Sequence, residues 1–194
     1  MHFIEDYIYH VFNRSNETLF ITRDNYIFFI NKVTKHILPY CDMLAWCLLP
    51  NHFHFLLVVN SRGAKSINEK HRSETQFLSK NIGILLSSYT QAINKQENRK
   101  GSLFAHSTVA KQLNLSDNRY PEICFAYIHQ NPCESGLVED PENWEYSSYR
   151  DFLGERQENI VNIELAEEML NIDMDNFAEW SNGFRDQQYK DGIF

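Results

Sequence analysis

Asp42-Met43-Leu44-Ala45-Trp46-Cys47-Leu48-Leu49, then Pro50-Asn51, then His52-Phe53-His54-Phe55-Leu56-Leu57-Val58-Val59 is the stretch around which the rest of the chain arranges itself. Two apolar runs of strand length flank a Pro-Asn pair suited to the centre of a tight turn, which reads as a β-hairpin. Both alternation phases of both runs are apolar, so both faces of the hairpin are buried and it belongs in the middle of a sheet covered by helices. Residues two apart on a strand share a face, so His52 and His54 project side by side. They follow the turn directly, near one end of the sheet, where a metal ion can meet solvent. Two imidazoles so placed form a two-point metal ligand. Two hydrogen-bonded core histidines would give the same pattern.

Outward from the hairpin, Tyr7 to Phe12 is β-branched and aromatic, ends in the polar turn Asn13–Asn16, and reads as a first strand. A helix is expected from Asp24 to His36, with Tyr26, Phe29, Ile30 and Val33 at helical spacing and Pro39 beyond its end. Ser61 to Ser73 is polar and basic and is expected to be a mobile loop. A long helix follows from Glu74 to Asn94, leading into the basic loop Lys95 to Gly101. Ser102–Phe104 and Thr108–Ala110 carry weak extended signals around His106. Ser116 or Asp117 can cap a further helix, Glu122 to Asn131, with Pro121 in its first turn and Pro132 as its stop. Residues 141–149 read as an ordered loop packed through its aromatics. The composition turns acidic from Gly154, with short amphipathic pieces at Ile163–Leu170 and Met174–Trp180, and predicts a solvated helical extension. The chain thus divides into residues 1–153 and an acidic, partly helical extension, 154–194.

The net charge of −8 looks unfavourable for nucleic acid, but its distribution matters more. Residues 151–194 hold 11 acidic and 3 basic side chains, which accounts for all of it. Residues 62–111 carry nine basic residues against Glu69, Glu74 and Glu97, so the body of the chain offers a basic segment. No apolar run approaches the roughly 20 residues of a membrane span, and the N-terminus lacks the basic-then-apolar order of a secretory signal. Cys41, Cys47, Cys124 and Cys133 lack CxxC spacing and read as reduced thiols of a cytoplasmic protein.

Tyr127 and Asn131 stand four residues apart on the helix before Pro132, hence on one face. Asn131 can supply an oxygen as a third metal ligand beside the two imidazoles, with Tyr127 one helical turn away. A phenol is a poor nucleophile at its ordinary pKa of about 10, and a divalent cation both favours the phenolate and withdraws charge from a phosphate. The chemistry that uses all these parts is transesterification of a DNA phosphodiester. Tyr89 is a rival nucleophile on an apolar helical stripe and is expected in the core. Nothing in the sequence places His10 or His106.

Here the sequence resembles a known family. Pro50-Asn51-His52-Phe53-His54 and its apolar strand look like the His-hydrophobic-His motif of the single-tyrosine HUH transposases. Tyr127-Ile128-His129-Gln130-Asn131-Pro132 with Gly136-Leu137-Val138 is similar to the tyrosine-helix motif of the REP-associated tyrosine transposase branch. Tyr9 to Arg14 and Ser147-Ser148-Tyr149 fit the same pattern, so the resemblance covers residues 5–150. It departs from the pattern at Phe104–Thr108, which has no arginine, and at Glu134, where relatives place a base.

The resemblance implies an α+β, ferredoxin-like fold, a central antiparallel sheet flanked by helices. It implies Mg²⁺ or Mn²⁺ held by His52, His54 and Asn131, with Tyr127 attacking single-stranded DNA at a hairpin end to give a 5′-phosphotyrosine and a free 3′-hydroxyl. Arg14, Lys95, Arg99, Lys100 and Lys111 are the candidate phosphate contacts. A DNA-hairpin binder without cleavage and a water-using metal nuclease are the alternatives. Relatives act as monomers or as homodimers with shared sites, in the bacterial cytoplasm at the nucleoid.

Overall fold

Strands β1 (Ile8–Arg14), β2 (Cys41–Leu49), β3 (His52–Val59) and β4 (Val109–Leu113) form one antiparallel sheet in the order β2-β3-β1-β4. We obtained this as a computed structural model, which describes residues 1–67, 75–114, 119–156 and 160–184. Helix α1 (Arg23–His36) carries the chain from β1 to β2, and α3 (Phe77–Gln96) carries it from β3 to β4. Each connection steps over an intervening strand, which is the ferredoxin-like split βαβ arrangement. The fold class expected from the sequence is the one observed.

The central hairpin explains the order. Every residue of β3 and all but one of β2 are buried, so β3 must have strands on both sides and helices on both faces. On one face, Val11, Phe53, Phe55 and Leu57 pack against Phe29 and Val33 of α1 and Leu85 and Tyr89 of α3. Tyr89 is fully buried there and donates its hydroxyl to the carbonyl of Leu19 at 2.7 Å, the core role expected of it. Asn25 Oδ1 accepts from the backbone N–H of Thr22 at 3.0 Å and so fixes the start of α1.

The other face is covered by α4 (Tyr120–Glu134), α5 (Tyr149–Phe152), α6 (Ile163–Leu170) and α7 (Phe177–Asn182). The expectation of a solvated extension is therefore overturned for residues 160–184. Ala166, Leu170, Ile172 and Phe177 join Leu44, Leu49 and Leu56 of the sheet in a second core. Asn162 donates its backbone N–H to Met43 at the β2 edge (2.8 Å), and Phe177 stacks on Phe152 at 5.2 Å. The acidic side chains lie on the outer faces of these helices, which is why composition alone suggested solvation.

Three boundaries also move. Helix α4 does not stop at Pro132 but continues to Glu134. Proline's fixed φ is helical and only one intrahelical bond is forfeited, while Asn131 and Pro132 still accept from Ser135 and Leu137, both at 2.9 Å. Gly136 ends the helix with φ +68°, a conformation that favours glycine. The expected loop from Ser61 opens with a helical turn, α2 (Ser61–Ala64), where Gly63 fits because a Cβ would lie 2.1 Å from the carbonyl oxygen of Tyr40. Residues 68–73 of that loop, Glu74 at the expected start of the long helix, and the expected caps Ser116 and Asp117 lie outside the described residues. Only the later of the two weak extended signals becomes a strand, as β4. Among the described residues no helix is long and apolar enough to cross a membrane.

Candidate active site

Strand register decides which side chains meet. Phe12 pairs with His54 and Arg14 with His52 across β1 and β3, so His10, Phe12 and Arg14 share a face with His52, His54 and Leu56. This is the face covered by α4, whose period places Tyr127, Asn131 and Glu134 in line above the two histidines. The turn that carries His52 is held by Ser15, whose N–H donates to Asn51 (2.8 Å), and by Leu19, whose N–H donates to Pro50 (2.6 Å). The result is a cleft of about 540 Å³ lined by Arg14, Glu17, Asn51, His52, Tyr127, Asn131 and Glu134 among others.

Three donor atoms converge at the back of this cleft. His52 Nε2 lies 3.3 Å from Asn131 Oδ1, and the Asn131 amide nitrogen lies 3.3 Å from His54 Nε2. The two imidazoles stand at right angles with ring centroids 5.1 Å apart. On its far side, His52 donates Nδ1–H to Asn51 Oδ1 at 2.6 Å, which leaves Nε2 carrying a lone pair. That lone pair faces the Asn131 carbonyl oxygen, another acceptor, an arrangement that suits a cation between them. Six ligands at about 2.1 Å from a metal stand about 3 Å apart when adjacent, close to the 3.3 Å between His52 Nε2 and Asn131 Oδ1. Among the described residues no three His, Cys, Asp or Glu side chains gather as a metal site; the third donor here is an amide oxygen.

Burial sets the protonation states. It pushes the His52 pKa down to about 4; the Asn131 oxygen, which accepts only from the protonated ring, opposes this, and Arg14 adds to it. His54, fully buried, is also lowered well below the ordinary imidazole value, by desolvation first and then by the neighbouring His10 and His52. Both imidazoles are thus neutral at pH 7 and need shed no proton to bind a metal. Burial raises the Tyr127 phenol above its ordinary range, while its hydrogen bond to Asn131 acts in the other direction and Glu134 adds to the rise. The Tyr127 ring meets His54 edge-on at 5.6 Å.

The basic residues fare unevenly. Arg14 lines the cleft, and Arg99 reaches its rim through an ion pair with Glu17 at 3.0 Å. Lys95 is in the last turn of α3 and Lys100 lies in the following loop, both exposed and neither lining the cleft. Lys111 is on β4 opposite His10 and is engaged with Tyr120, at 3.0 Å from its hydroxyl and 4.8 Å above its ring. The sequence reading left His10 unplaced. It is fully buried beside His54, and only the β1–β3 register could have put it there.

His129, two residues from Tyr127, points the other way. It is buried among Phe125, Tyr149, Phe152 and Phe177 and pairs with Ser148 Oγ at 2.7 Å. Burial, then the Arg156 charge, lowers its pKa to about 3. A base whose folded pKa lies below its unfolded value of about 6.5 stabilises the fold fully above that value and loses the contribution as pH falls toward 3. With His52 depressed in the same direction, stability is expected to drop by about 2 kcal/mol per such histidine between pH 7 and pH 5. Urea denaturation across this range checks it, and His129→Gln should flatten the slope.

No family model matches the sequence, and no curated protein matches it. A solved structure does. A REP-associated tyrosine transposase bound to a REP hairpin superposes with a TM-score of 0.56, covering 84% of this chain and 87% of that one at 13% identity. What the two share is the fold. In this chain that fold is a four-stranded antiparallel sheet with flanking helices.

Proposed function

We propose that this protein is a metal-dependent DNA strand transferase that cleaves and rejoins single-stranded DNA at hairpin ends through Tyr127. The observation that carries the reading is the meeting of His52 Nε2, His54 and the Asn131 amide at the back of a cleft walled by Tyr127. The structural likeness to a transposase solved with a REP hairpin supports a hairpin as the DNA partner. His52, His54 and Asn131 would hold Mn²⁺ or Mg²⁺, and two imidazoles in a set of three favour Mn²⁺. When bound, the ion would supply positive charge to the scissile phosphate and to the phenol.

Tyr127 Oη attacks phosphorus and the P–O3′ bond breaks, leaving the 5′-phosphate on the tyrosine; the phenolic proton ends on the departing 3′-oxygen. A 3′-hydroxyl reverses the step, so joining needs no external energy. Arg14 at the cleft mouth, and Arg99 once released from Glu17, are placed to take up flanking phosphates. Tyr127 and His54 of one chain are in ring contact, which supports a site assembled within a single chain.

Labelled single-stranded hairpin DNA incubated with the protein and Mn²⁺ is expected to yield a covalent adduct on a denaturing gel. Cleavage without an adduct would replace this reading with a water-using nuclease, and binding alone with a hairpin-recognition protein.

A further inference from the structure

His10 has no place in the chemistry just described, yet it is the side chain most intimately joined to it. It and His54 are both fully buried. They sit diagonally across β1 and β3, since Phe12 is the register partner of His54 and Leu56 that of His10. Their rings lie edge to edge and nearly coplanar, with centroids 5.1 Å apart and an interplanar angle of 21°, and His10 Nε2 lies 2.9 Å from His54 Nδ1. Phe12 flanks both rings, at 4.8 Å from His10 and 5.9 Å from His54, and Tyr127 closes over them edge-on.

A 2.9 Å contact between two neutral imidazole nitrogens holds one proton, and the direction of donation fixes both tautomers. On the opposite edge of His54, Nε2 accepts from the Asn131 amide at 3.3 Å. A nitrogen that accepts carries no proton, so the proton of His54 is on Nδ1 and is donated to His10. We propose that His10 is a positioning residue: by accepting Nδ1–H it holds His54 in the tautomer whose Nε2 lone pair points at the place where His52 and Asn131 converge.

The inference rests on the metal reading above for its purpose, and on the His10–His54 geometry alone for its substance. An imidazole that ligates a metal through one nitrogen usually donates its other N–H to a fixed acceptor. Asn51 does this for His52, and His10 does it for His54. The two ligands are thus oriented by different devices, an amide in the turn and a third histidine from the neighbouring strand. Without an acceptor at position 10, His54 would be drawn to the Nε2–H tautomer, which presents a proton instead of a lone pair, and its Nδ1 would be buried without a partner.

The test needs two variants and two readouts, neither of them catalytic. His10→Phe keeps a ring beside His54 and removes the acceptor, whereas His10→Gln supplies a side-chain oxygen that can accept Nδ1–H. Long-range proton–nitrogen correlation spectra of histidine-labelled, metal-free wild-type protein should show His54 as Nδ1–H only, and His10→Phe should shift it toward Nε2–H. Mn²⁺ affinity, read from the signal of free ion, should fall about 10- to 100-fold in His10→Phe and return toward wild type in His10→Gln.

An Nε2–H His54 in the wild type overturns the proposal, and that spectrum decides even if His10→Phe fails to fold. So does a folded His10→Phe that binds Mn²⁺ as the wild type does. Wild-type protein with the Nδ1–H tautomer and no Mn²⁺ binding would sustain the positioning and overturn the metal reading, which keeps the two failures apart.

Discussion

Tyr127→Phe is expected to lose the covalent DNA adduct, with strand transfer reduced by at least about 1,000-fold, as when an enzyme loses its nucleophile. Mn²⁺ binding and hairpin binding should persist. The edge-on contact with His54 at 5.6 Å uses the ring, which Phe retains, and what disappears is the hydroxyl and its bond to Asn131, worth about 1 kcal/mol. Single-turnover cleavage of labelled hairpin DNA, followed on denaturing gels, measures the loss. Because burial holds the phenol above its ordinary range, the wild-type rate should climb with pH from neutral upward as the phenolate becomes accessible. An adduct that survives in the variant would require another nucleophile. Tyr89 does not qualify: it lies in the core on the opposite face of the sheet with its hydroxyl committed to Leu19.

How far the sequence could lead depends on the range over which each feature is determined. The hairpin, its buried faces and the adjacency of His52 and His54 follow from a period of two within a dozen residues. The Tyr127–Asn131 pair follows from a helical turn. These are local rules, and they placed the three candidate ligands and the candidate nucleophile on the right elements. That α4 would lie against the histidine end of β3 rested on the chemistry of the two motifs and on the resemblance, and the structure brings them together by packing α4 on β2 and β3. The β1–β3 register seats His10 against His54, and no pattern inside Tyr7–Phe12 announces it.

The extension was misread for a related reason. Leu165, Ala166 and Leu170 are at helical spacing, but whether such a stripe meets a partner depends on what the sheet leaves uncovered. Here the second face of β2 is apolar from Leu44 to Leu49, and α4 covers only part of it. Leu44, Ala45 and Leu49 need further cover, which α5, α6 and α7 supply. Glu155, Glu164, Glu167, Glu168 and Asp173 lie outside or beside that stripe and obscured it. The segment is part of the second core, so its deletion bears first on folding.

The strongest stability effect should come from Arg156, the residue that joins the extension to the site. Its guanidinium binds Asp151 at 2.7 and 3.0 Å, reaches the carbonyls of Glu145 (2.8 Å) and Ser147, and lies 5.2 Å above the Trp46 ring. The Asp151 side chain is only 1% exposed, so Arg156→Ala strands a buried carboxylate. That costs about 3–5 kcal/mol, unlike the loss of a surface pair, and at about 2–4 °C per kcal/mol for a chain of this size it should lower Tm by about 6–20 °C. The segment Arg156 clamps is the one that closes the β2 edge, where Leu48 donates to Tyr146 and Ser148 to Trp46. Ser148 also holds His129 of α4 at 2.7 Å. Loosening the clamp therefore loosens the helix that carries Tyr127 and Asn131, and Mn²⁺ affinity should fall together with stability. Thermal unfolding of Arg156→Ala, Asp151→Leu and the double variant Asp151→Leu/Arg156→Leu separates the contributions: removing both charges should recover part of the loss caused by Arg156→Ala, since the penalty lies in the unpaired carboxylate. A loss below about 1 kcal/mol in Arg156→Ala would mean that water reaches Asp151 and that the extension is held by its apolar stripe and the Asn162–Met43 bond.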